Sequence, residues 1–156
     1  MYASNFLLPM KKSSKAIALL LITICVWSCD GNRACHQYAE YNPEDRYDYI
    51  LTLPTDYACS GCVELCKSFI YENARAKNLL VVLVSTSARS QSIMKRTAFD
   101  DIDLVHEASS INFDVELNLN FPTLISLRTD ECESVVLNAE SISIRLDELK
   151  SSLTFP

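Results

Sequence analysis

Two kinds of apolar spacing divide this chain. Tyr49-Ile50-Leu51-Thr52-Leu53 is a compact apolar run with strand alternation, and residues 47–53 form the first predicted strand. Val63, Cys66, Ile70 and Ala74 recur at intervals of three and four, so a helix is predicted from about Ser60 to Ala76 with one apolar stripe. Leu79-Leu80-Val81-Val82-Leu83-Val84 is unbroken and valine-rich, the pattern of a strand buried on both faces and therefore parallel to its neighbours. Together these three predict a βαβ unit with a right-handed crossover.

Downstream, Ser87 to Phe99 is predicted as a helix on the other sheet face, and Asp103-Leu104-Val105-His106 as a short edge strand. Ile111, Phe113, Val115, Leu117, Leu119 and Phe121 alternate as a strand would. Leu124 to Arg128 and Ser134 to Asn138 flank a polar turn at 129–133, which predicts an antiparallel hairpin. Ile142, Leu146, Leu149 and Leu153 complete the chain as an amphipathic helix with Ser141 at its N-cap.

The first 28 residues have a different character. Lys11, Lys12 and Lys15 precede an apolar run of 12 residues, Ala16 to Trp27, interrupted only by Thr23. That run is short for a membrane span and has the form of a secretory signal. Met10, directly before the lysines, is an alternative start. Val26-Trp27-Ser28-Cys29 resembles a bacterial lipobox, which implies cleavage before Cys29 and a diacylglyceryl group on its sulfur. The expected organisation is a lipoprotein signal peptide at 1–28, a polar tether at 29–46 and a folded domain at 47–156. The ordinary cleaved signal with an incidental cysteine is the alternative.

Export changes the charge balance. The whole chain carries 14 Lys+Arg against 20 Asp+Glu. The signal holds three lysines and no acid, so the mature part has a net charge of −9. That argues against a nucleic-acid partner and against electrostatic attachment to anionic lipid. Membrane contact is expected through the lipid on Cys29, in the cell envelope, facing the periplasm or the cell surface.

Of seven cysteines, Cys25 lies within the signal, leaving Cys35, Cys59, Cys62, Cys66 and Cys132 beside Cys29. Cys59-Ser60-Gly61-Cys62 sits where a strand gives way to a helix. A thiol at a helix N-terminus meets unpaired backbone N–H groups and the positive end of the macrodipole, both of which favour its thiolate. Cys66 falls on the apolar stripe and is expected to be a small buried hydrophobe. One cysteine pair and two histidines, His36 and His106, without matching spacing do not make a zinc pattern, so neither metal nor organic cofactor is expected. Cys35 and Cys132 are open to pairing with each other, pairing with another chain, or remaining free.

The order of elements, with Cys59-Ser60-Gly61-Cys62 and Phe121-Pro122-Thr123-Leu124, resembles the thioredoxin-like superfamily over about residues 47–153. More narrowly, the chain is similar to short thioredoxin-like lipoproteins of Bacteroidota-type bacteria. The resemblance implies an α/β fold with a central mixed sheet of four to five strands flanked by helices. It implies that Cys59 attacks, that Cys62 resolves, and that Ser60 and Gly61 tune the thiolate. It also implies a cis bond before Pro122, with the backbone of Phe121 docking an extended substrate. The helix end and turn that precede this proline in the family conflict with the strand alternation at 111–121. On this reading the chain is a thiol–disulfide oxidoreductase acting on protein thiols, served by a redox partner protein. There are departures. Ala58 stands where the family has tryptophan, Ser60-Gly61 replaces Gly-Pro, and Leu53 occupies the place of a buried acid. These favour the alternative, a redox-inactive binding or assembly lipoprotein with a structural Cys59–Cys62 disulfide.

Overall fold

A computed structural model describes residues 42–56, 58–109, 119–128 and 132–156, all within the unit that runs from Gly31 to Pro156. The signal, Cys29, Cys35 and most of the alternating stretch at 111–121 lie outside the described residues.

Five strands form one open mixed sheet. They are β1 (Tyr49–Pro54), β2 (Leu79–Ser85), β3 (Val105–Ser109), β4 (Thr123–Ser126) and β5 (Glu133–Val136), in the order β3-β2-β1-β4-β5. β1 pairs in parallel with β2, and β2 in parallel with β3. β4 runs antiparallel to β1 and to β5. All seven residues of β2 are buried, as expected for an apolar strand between parallel neighbours. Three helices complete the described architecture: α1 (Ser60–Glu72), α2 (Ala88–Ala98) and α3 (Ile142–Ser152).

Strand alternation sorts the core into two layers. Tyr49, Leu51 and Leu53 of β1 and Leu79, Val81 and Leu83 of β2 face the helices. There they meet Val63, Cys66, Phe69 and Ile70 of α1 and Ile142, Leu146 and Leu149 of α3. Ile50, Leu80, Val82, Val84, Ala108 and Ile125 form the second face, with Tyr47, Leu119, Leu127 and Cys132 at its margin.

α2 was expected on that second face, and the structure corrects this. Met94, Ala98 and the C-cap residue Phe99 pack in the same layer as α1, and the rings of Tyr71 and Phe99 lie 5.8 Å apart. The reason is topological. β1, β2 and β3 step across the sheet in one direction, so two right-handed crossovers leave both helices on one side.

Boundaries also moved. α1 stops at Glu72, short of Ala76, because the Asn73 side chain donates to the Phe69 carbonyl at 2.7 Å and its backbone N–H bonds the same turn. Ser141 occupies the N-cap of α3 without a side-chain capping bond. Instead Asn138 Oδ1 accepts from the backbone N–H groups of Glu140 and Ser141. The edge strand lies two residues later than expected, at Val105–Ser109.

Candidate functional site

The dithiol sits where the parallel strands end. β1 closes at Pro54, and the chain returns as α1 with Cys59 at its N-cap. The Cys59 sulfur accepts the backbone N–H of Cys62 at 3.4 Å, so a thiol performs the capping that an oxygen usually performs. The next backbone bond of the helix, from Val63 N–H to the Cys59 carbonyl at 3.0 Å, closes the first turn. Ser60 and Gly61 are exposed on that turn. A methyl group added to Gly61 would meet nothing within 4 Å, so the glycine does not relieve a clash there.

The two thiols occupy unlike environments. Cys59 is half-buried and Cys62 is 2% exposed. The S–H of Cys62 and then its backbone N–H hold the Cys59 thiol below its ordinary pKa, with Gly61 N–H contributing. Burial, together with the neighbouring Cys59, pushes the Cys62 thiol up to about 11. Cys66 is fully buried one turn further and is pushed up to about 12. It lies in the apolar core, as its place on the stripe predicts. All three are free thiols.

Phe121 and Pro122 reach the same place from the turn that leads into β4, the strand beside β1. The carbonyl of Asn120 accepts the Cys59 N–H at 2.9 Å, which holds the turn before β4 against the start of α1. Pro122 is buried, and its carbonyl accepts the Leu137 N–H at 2.8 Å. Phe121 packs at the edge of the helix-side core, alongside Ala58 and Cys59. No peptide bond among the described residues is cis, so the Phe121–Pro122 bond is trans, against the expectation from the resemblance.

Asp56 has a role that the sequence did not reveal. Its carboxylate accepts from Ser85 Oγ at 2.7 Å, from Thr86 N–H at 2.9 Å and from Thr86 Oγ1 at 3.0 Å. Burial alone would raise its pKa, but these bonds and one from Ser90 outweigh burial and lower it. Asp56 thus ties the loop before Cys59 to the end of β2. The clue was the run Ser85-Thr86-Ser87 at the close of a parallel strand, where donors collect beside the neighbouring loop. Leu53 is a wholly buried apolar residue in the layer that contains Cys62.

Other candidates lie elsewhere. His106 is exposed on edge strand β3. Cys132 is disulfide-bonded, to a residue outside those described. Among the described residues no group of three His, Cys, Asp or Glu side chains is placed to hold a metal ion, and no helix is long and apolar enough to cross a membrane. The arrangement is suited to thiol–disulfide exchange: an accessible sulfur with a favoured thiolate beside a protonated, buried partner. No family model matches the chain, and neither a curated protein nor a solved structure matches it.

Proposed function

We propose that this chain is a thioredoxin-like thiol–disulfide oxidoreductase, exported and held at a membrane through a lipid on Cys29. The carrying observation is the asymmetry of the pair. Cys59 caps α1 with its sulfur and has a lowered pKa, whereas Cys62 is buried with its pKa raised to about 11. The βαβ unit, the β4–β5 hairpin and the closing helix α3 support the thioredoxin-like reading. So does the contact of Asn120, just before Phe121-Pro122, with Cys59.

In the reductive direction the Cys59 thiolate attacks one sulfur of a substrate protein disulfide. That S–S bond breaks, a mixed disulfide forms, and the other substrate sulfur leaves as a thiolate. The Cys62 thiol then loses its proton and attacks the Cys59 sulfur, releasing the second substrate thiol. The substrate gains two electrons, and the protein is left with a Cys59–Cys62 disulfide, which a redox partner protein reduces again. Every step reverses for substrate oxidation. The substrate strand docks along the backbone of Phe121 beside Pro122, over the open surface at Ser60 and Gly61.

The second reading, a binding or assembly lipoprotein with a permanent Cys59–Cys62 bridge, is favoured by one observation. Leu53, not a carboxylate, lies in the buried layer with Cys62. Two measurements separate the readings. Purified protein should exchange with a small disulfide reporter, Cys59→Ser should abolish turnover, and Cys62→Ser should accumulate the mixed disulfide. A Cys59–Cys62 potential far below that of the exported compartment would make the bridge permanent and overturn the enzymatic reading.

A further inference from the structure

The sheet face opposite the helices is buried without a described helix of its own. Ile50, Leu80, Val82, Val84, Ala108 and Ile125 are each at most 4% exposed. The buried apolar side chains of α1 and α3 belong to the other layer, as do Met94 and Ala98 of α2. Apolar side chains so fully removed from water need a covering layer. Two observations bear on it. Asn42, at the start of the described chain, is buried; its side chain donates to the Tyr47 carbonyl and accepts the Tyr47 N–H, each at 2.8 Å. Tyr47 packs at the margin of the second face. Cys132 packs at the same margin and is disulfide-bonded, while Cys59, Cys62 and Cys66 are free thiols. The bonding partner of Cys132 is therefore Cys25, Cys29 or Cys35. Cys25 belongs to the signal, and the sulfur of Cys29 carries the lipid, a step that rests on the reading proposed above.

We infer that in the exported protein Cys35 is joined to Cys132, and that residues 31–41 lie over the second sheet face instead of forming a free tether. That segment carries the apolar or aromatic residues Ala34, Tyr38, Ala39 and Tyr41. Forming the bond takes two protons and two electrons from the two thiols. The electrons pass to a disulfide oxidant of the exported compartment, which becomes two thiols. The bond closes a loop of about a hundred residues, a length at which a cross-link strongly restricts the unfolded chain. The molecule then holds two kinds of cysteine pair: a structural one at the hairpin end of β4 and β5, and the exchangeable one at the opposite end of β1.

Peptide mapping tests the bond directly. The mature protein is purified from an exporting host without reductant, quenched with N-ethylmaleimide and cut with trypsin. Cleavage at the lysines and arginines places Cys35 in peptide 34–46, Cys132 in 129–145, and Cys59, Cys62 and Cys66 together in 47–67. The expected product is 34–46 linked to 129–145, lost on reduction, with 47–67 separate from both. Alkylated Cys35 and Cys132, or a link from 129–145 to itself or to 47–67, would overturn the inference. The Cys35→Ser, Cys132→Ser double variant should melt about 10 °C lower. It should also show faster amide exchange across β2. Unchanged exchange there would mean that another segment, such as 110–118, covers the face. Loss of reporter turnover with the link intact would sink the proposed function alone; a missing link with turnover intact would sink this inference alone.

Discussion

The backbone N–H of Cys62 points at the sulfur of Cys59 across 3.4 Å, so the residue that would resolve a mixed disulfide also steadies the thiolate that would form it. One helical turn makes this possible, because a capping side chain meets the N–H three residues on. The two sulfurs therefore differ in acidity through burial, hydrogen bonding and the charge that Cys59 places beside Cys62.

Iodoacetamide labelling followed from pH 5 to 11 should give Cys59 a midpoint below the ordinary thiol value of about 8.5. Cys62 should titrate near 11. The Cys62→Ala variant removes the S–H that contributes most to the lowering, so the Cys59 midpoint should rise toward the ordinary value. Equal midpoints in the native protein would contradict the geometry.

Asp56 should matter for stability in a defined pH window. Its folded pKa lies below the unfolded value of about 3.9, so its stabilisation is fully present above that value and is lost as pH falls through the folded pKa. Asp56→Ala should cost about 1 kcal/mol in urea unfolding at pH 7, the lower range for bonds to a charged but half-exposed group. Asp56→Asn should flatten the acid limb of the stability curve. A native-like acid limb in that variant would assign the pH dependence to other groups.

Cys66 separates packing from chemistry. Cys66→Ala deletes one buried sulfur from the core and should cost about 1 kcal/mol, with reporter turnover unchanged. A large fall in turnover by a variant that still folds would make Cys66 a participant in exchange.

Gly61 tests the docking surface. Its backbone does not use positive φ and its Cβ position is open, so Gly61→Ala should raise stability by about 0.5–1 kcal/mol. If protein substrates lie across this turn, the added methyl should slow exchange with a protein disulfide more than with a small one. Equal effects on both would place substrate elsewhere.

The local elements were readable from spacing because each is governed by a period. The unbroken run Leu79–Val84 had to be a doubly buried strand, the stripe Val63, Cys66, Ile70 had to face a core, and Cys59 had to fall at the start of that helix. The polar stretch Thr129–Glu133 between two apolar runs likewise announced the hairpin. Sequence alone determined that a cysteine pair would stand at a strand-to-helix turn.

Only the tertiary structure decided what surrounds the pair. The face taken by α2 depends on the order of strands across the sheet, which no local pattern encodes. The attachment of Asp56 to Ser85 and Thr86 joins positions 29 and 30 residues apart, and that of Asn120 to Cys59 joins the two sides of β1. The difference in acidity between Cys59 and Cys62 likewise arises from burial and hydrogen-bond direction. Periodicity follows from bonds along one chain segment, whereas contacts and burial come from segments that meet only when the whole sheet has assembled.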